Sequence, residues 1–286
     1  MEKIFACAQS QFRLPIKLLT PMLIDTHCHL DAAEFDADRN SIAEKALQQG
    51  VQLIVVPAVA RLNFDPVLAL CRQHKHCAYA LGIHPMYVDK ASIVDIDVLK
   101  TYVLEHSPVA IGEIGLDYFV TKDNFERQTF FFTEQLKLAK QHDLPVILHV
   151  RNAIDDVLKH LRRFEVRGGI AHAFNGSFQQ AEQFIALGFK LGFGGAMTYS
   201  RALKIRALAM QLPLESIVLE TDSPDIPPEW VGAKGRNTPL ELNRIAQVLA
   251  HLKQVNVSQV LDITSTNALK VLPKLVDLCT PPKVLL

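Results

Sequence analysis

Residues 23–35 read LIDTHCHLDAAEF, an apolar run that leads into two histidines, His27 and His29, and contains no glycine. The missing glycine bears on the fold. An open, doubly wound parallel sheet places a glycine-rich turn after its first strand, where the backbone must approach a phosphate closely. DTHCHLDAAEF offers no such turn, which favours a closed barrel. The histidine spacing bears on the chemistry: side chains i and i+2 of a strand share a face, so the two imidazoles point together and Cys28 points away. That arrangement suits a metal ion.

Outward from this stretch, β-rich runs bounded by turn or polar residues recur as LIDTHC, QLIVVPA, CAYALGIH, VAIGEIGL, PVILHV, GIAHAF, FKLGFGG and SIVLETD. Between them lie RNSIAEKALQQG, NFDPVLALCRQH, FERQTFFFTEQLKLAKQHD, AIDDVLKHLRRF, FQQAEQFIALG and RALKIRALAMQL, each with apolar residues at helical spacing. Eight strands alternating with helices predict an α/β fold, a single-domain (β/α)8 TIM barrel, and such barrels use about 250 residues. The barrel is expected over residues 22–272, with 1–21 as an N-terminal extension outside the core and 273–286 as a C-terminal tail.

Composition narrows the class. Of 286 residues 49% are hydrophobic, enough for a large core, and 30 basic side chains balance 30 acidic ones. No overall field therefore draws the chain to nucleic acid or to an anionic membrane. Five cysteines, an odd number without CxxC spacing, fit reduced thiols better than a disulfide framework. No run approaches the roughly 18 consecutive apolar residues of a membrane span, and residues 1–19 lack the uninterrupted apolar stretch of a secretion signal. The expectation is a cytoplasmic protein with no membrane contact and no obligate protein partner.

Active sites of such barrels lie where strands end. The ionisable residues there are His27 and His29 on the first strand, Glu113 on the fourth, His149 on the fifth, His172 on the sixth and Asp222 on the eighth. Singly, each reads more simply as a hydrogen-bonded or surface residue. Together, four imidazoles and two carboxylates at one mouth would be costly to bury without a cation. Nitrogen and oxygen donors without thiolate suit zinc, manganese, cobalt or iron, and less firmly magnesium. Six donors exceed the four of an ordinary zinc site, whereas two divalent cations sharing a carboxylate accommodate them all. Glu113, central in strand order, is the natural bridge. Such a pair eases deprotonation of water and polarises the oxygen under attack, which implies hydrolysis.

At this point the sequence resembles the TatD family of metal-dependent hydrolases, within the amidohydrolase-like barrels. IDTHCHLD, GIHP, GEIGLDY, ILHVR, AHAFNGS, LETDSP and RNTP stand in that family's order. The resemblance implies one cation on His27, His29 and Asp222, a second on His149 and His172, and Glu113 on both. It also implies phosphoester cleavage, with a DNA end or a phosphorylated small molecule as substrate and a 3'-5' exodeoxyribonuclease as the specific form. Asp222 would accept the proton of water, and Arg151 and His84, just past strand ends, would hold substrate oxygens. Net neutrality favours an enzyme that grips a terminus over one that tracks along many phosphates. Two rival readings are an amide or lactone hydrolase acting on a small metabolite, and a metal-binding protein without turnover. Asn175 in FNGS and the lack of a late phenylalanine in NALKVLP depart from the family pattern without touching a proposed ligand.

Four further readings concern residues around and away from these ligands. Asp25 and Glu220 share strand parity with His29 and Asp222 and are expected inward, below the ligands. Asp117 reads as a turn aspartate ahead of a residue that orients a loop or a ligand, and Thr129 to Phe132 (TFFF) as helix packing on the barrel. His74, His76, His106, His142, His160 and His251 read as solvated.

Overall fold

The computed structural model of the chain describes residues 22–119 and 124–279. The expected extension, residues 1–21, and the last seven residues of the expected tail lie outside the described residues. Eight strands form one sheet: β1 (Leu23–Asp25), β2 (Val51–Pro57), β3 (Cys77–Leu81), β4 (Ala110–Asp117), β5 (Val146–Arg151), β6 (Gly169–Ala171), β7 (Phe189–Phe193) and β8 (Ile217–Leu219). They neighbour one another in chain order and pair in parallel. The ring closes between β8 and β1 through bonds that run past the strand ends. Thr26 N donates to Leu219 O (3.1 Å), Asp222 N to His27 O (2.8 Å) and His29 N to Ser223 O (2.8 Å). The chain is thus the (β/α)8 barrel that the glycine-free first turn predicts.

Helices α1 (Arg39–Gln48), α2 (Phe64–Gln73), α3 (Val94–His106), α4 (Phe125–Gln141), α5 (Ile154–Phe164), α6 (Phe178–Ala186), α7 (Leu203–Gln211), α8 (Leu242–Lys253) and α9 (Val257–Val271) follow the strands. The helical spacing noted in the sequence missed α3, α8 and α9. In α3 the apolar residues spread around the cylinder: Leu99 and Val103 are buried while Val94 and Leu104 are exposed. In α4, Phe131 and Phe132 are buried in the core, and Phe130 is partly exposed.

Two apolar layers result. Ile24, Leu53, Ala80, Ala110, Ile147, Ile170 and Val218 join the end of α9 in a cluster that fills the barrel interior and its lower end. Ile54, Cys77, Leu148 and Leu219, one position away, pack outward with helical residues such as Leu99 and Leu249. Leu272 and Leu275 are fully buried in the inner cluster beside Met22. The packed chain therefore runs on through a 3-10 turn (Pro273–Leu275) and α10 (Val276–Cys279), so the tail does not begin at residue 273. No helix among the described residues is long and apolar enough to cross a membrane.

Candidate metal centre

Side-chain alternation delivers three of the proposed ligands without interruption. His149 follows interior Ile147 by two residues, His172 follows Ile170 by two, and Asp222 follows Val218 by four. The other three need a break in alternation. From interior Ile24, strict alternation would turn His27 and His29 out of the barrel, but the chain bends at Thr26 and resets. From interior Ala110 it would turn Glu113 out, but β4 shifts register against β5 between Ile111 and Ile114. Glu113 consequently lies inside β4 and not at its end, and His27, His29, His172 and Asp222 lie just beyond their strands. Asp222 takes a left-handed backbone (φ 56°), which aspartate tolerates better than most residues.

Glu113, 2% exposed, stands at the hub. Its Oε2 is 3.2 Å from His27 Nε2 and 3.3 Å from His29 Nε2. Its Oε1 is 2.9 Å from His172 Nε2 and 3.1 Å from His149 Nδ1. Asp222 Oδ1 lies 3.5 Å from His27 Nε2 and 3.7 Å from His29 Nε2. Donors held ~2.1 Å from a tetrahedral cation stand about 3.4 Å from one another. The observed spacings match that edge, and ring nitrogens of His27 and His29 that face each other at 3.2 Å fit a shared ion. The donor set therefore fits two divalent cations, with one oxygen of Glu113 toward each group of imidazoles.

Carboxylates stand behind the second group. His149 presents Nε2 to Asp117 Oδ2 at 2.9 Å, which leaves Nδ1 for the centre. Asp117 is 1% exposed and also accepts from Phe119 N, so it fixes a ligand's ring and is not merely a turn residue. Its place in register with Arg151 was not visible from sequence; strand parity with Glu113 was the available signal. Behind His172, Glu220 Oε1 is 4.0 Å from Nδ1, in space left by Gly192, where a Cβ would come within 2.1 Å of Glu220 Oε2. Glu220 points inward as its parity predicts. Asp25 does not: it pairs in register with Ile54 of the outer layer, because the Thr26 bend falls between it and His27.

His84 and Arg151 occupy different positions. His84 is buried, with Nε2 3.4 Å from Glu113 Oε1, and Met86 N donates to its Nδ1 at 3.1 Å. Nε2 therefore carries the proton, and His84 is a hydrogen-bond donor into the centre. Burial, against the pull of Glu113, lowers its pKa to about 4 and keeps it neutral. Arg151 is exposed at the end of β5, its guanidinium carbon 3.6 Å from the centroid of the Phe119 ring. Of the six histidines read as solvated, His251 is exposed; His74 is buried and bonded to Asn40 Oδ1 at 2.9 Å, and His76, His106, His142 and His160 are half-buried, His76 Nε2 lying 3.1 Å from Ala43 O.

Two of the imidazoles, His29 and His172, carry charge when no cation is present, while burial holds His27, like His84, neutral. Burial opposes the charged forms of His29 and His172, but Glu113 and Asp222 outweigh it, raising His29 to about 9 and His172 to about 10. A metal takes only the neutral ring. Loading near neutral pH is therefore expected to release about two protons per chain, and affinity is expected to rise with pH through that range. Calorimetry in two buffers of different ionisation enthalpy measures the release; none at all would contradict this charge state.

Comparison with known proteins places the whole barrel. The family described as TatD related DNase matches residues 24–273. A metal-dependent hydrolase of Escherichia coli K12, YjjV, is 46% identical over 236 residues, 81% of this chain and 90% of that one. A human protein named deoxyribonuclease TATDN3 is 32% identical across 88% of this chain and 95% of its own length. The crystal structure of the YjjV TatD homologue superposes with a TM-score of 0.83 at 41% identity, covering 88% of this chain and 98% of that one.

Proposed function

This chain belongs to the TatD related DNase family of metal-dependent hydrolases, and from that premise we propose that it hydrolyses phosphoester bonds with two divalent cations, acting on DNA from an end. The observation that carries the reading is Glu113, whose two carboxylate oxygens face two separate sets of imidazoles. The cation pair would polarise the phosphoryl oxygens and ease loss of a proton from the attacking water. Asp222, 9% exposed, would accept that proton. His84 donates through Nε2, and the exposed Arg151 guanidinium offers a positive fork for a phosphate. The human relative's name supports nuclease activity, and the neutral chain supports grip on a terminus over a long phosphate track.

The test pairs elemental analysis with substrate choice. About two ions per chain are expected, with cleavage of bis-nitrophenyl phosphate and of linear DNA, product sizes showing loss from a terminus. A firm value of one ion, unchanged in a His149→Ala, His172→Ala double variant, would sink the two-site reading. Hydrolysis of lactones or amides in place of phosphoesters would move the protein to another substrate class, and rapid cutting of closed circular DNA would contradict action from an end.

A further inference from the structure

The bend at Thr26, which turns His27 and His29 into the barrel, is itself held by side chains. Asp25 Oδ1 accepts from His27 N (3.3 Å) and from Thr221 N (3.0 Å), and Asp25 Oδ2 accepts from Thr221 Oγ1 (2.6 Å). Thr221 Oγ1 lies 2.9 Å from Ser223 Oγ, and Ser223 Oγ 3.0 Å from Cys28 Sγ. Asp25, Thr221, Ser223 and Cys28 are all 0% exposed. Asp25 and Cys28 bracket His27, and Thr221 and Ser223 bracket Asp222. The chain of four runs across the β1–β8 seam and ties the backbone carrying two imidazoles to the backbone carrying their carboxylate. None of the four reaches the centre itself.

We propose that the Asp25–Thr221 pair is a positioning unit for one cation site, the one formed by His27, His29 and Asp222, and not for the site of His149 and His172. The proposal rests on the two-cation reading above. Its physical basis is asymmetry. His149 and His172 follow interior residues by unbroken alternation and need no clasp to face inward, whereas His27 and His29 face inward only while the bend persists. Loss of the Thr221 hydroxyl leaves Asp25 Oδ2 buried without its partner and frees the bend to relax.

The test isolates each site in the full-length chain. In the His149→Ala, His172→Ala background, zinc is titrated against a chromophoric chelator. Thr221→Val is expected to weaken zinc binding by about 10- to 100-fold, the range for residues that orient ligands, and Thr221→Ser is expected to restore it. In the His27→Ala, His29→Ala background, Thr221→Val is expected to leave zinc affinity unchanged. Circular dichroism and melting confirm that each variant is folded; should Thr221→Val not fold, Asp25→Asn carries the same comparison. Equal weakening in both backgrounds, or no weakening in either, overturns the positioning role while the two-cation reading stands. If neither background binds zinc although the parent chain does, the two-site reading fails first and the proposal with it.

Discussion

Glu113→Gln is expected to hold fewer than one ion per chain after removal of excess metal and to lose at least about 10⁴ in turnover. The amide matches the carboxylate in size and cannot give a charged oxygen to each of two cations. Losing about 5 kcal/mol of charge stabilisation at the reacting oxygens corresponds to that factor. The variant should keep its fold, since the apolar layers that define the barrel do not include Glu113. A second consequence follows from its neighbours. Glu113 is a principal group holding His29 and His172 in their charged forms, so proton release on metal addition should shrink as well. Elemental analysis, steady-state rates and calorimetry read the three effects separately. Two retained ions would remove Glu113 from the bridge.

Asp222→Asn is expected to separate turnover from metal retention. Turnover should fall by about 10² to 10⁴, the usual range for loss of general-base help, while metal content drops by less than one ion. Five other donors remain, and the amide keeps one oxygen toward His27 and His29. The carboxylate itself is lost as a proton acceptor. If the variant keeps most of its rate at saturating metal, Asp222 is a ligand only. His84 is then a poor substitute base, because Met86 N already donates to its Nδ1 and its other nitrogen carries the proton. The contrast between the two variants is the informative result: one loses metal and rate together, the other mainly rate.

The barrel was legible from residues alone because its evidence is local and repeated. Short apolar strands, helical spacing between them and a first turn without glycine all depend on a few neighbouring residues. The positions of His149, His172 and Asp222 were legible for the same reason: each stands an even number of residues beyond an interior side chain. The pairing of His27 with His29 also follows from spacing within one stretch. Helix α3 was not legible, since its apolar residues are not confined to the face that Asp95, Leu99 and Val103 bury: Val94 and Leu104 are exposed.

What the sequence by itself determined is the set of donors and the kind of fold that gathers them at one mouth. The tertiary structure decided which way three of them point. Glu113 faces the centre only because β4 shifts register against β5, and His27 and His29 do so only because the chain bends at Thr26, with Asp25 bonded to Thr221 196 residues away. Asp117 likewise became the partner of His149 through strand pairing, not through its turn. The reason is the two-residue period of a strand: a single slip reverses every side chain beyond it. Such a slip is stabilised by contacts with strands remote in the chain, so local pattern cannot reveal it.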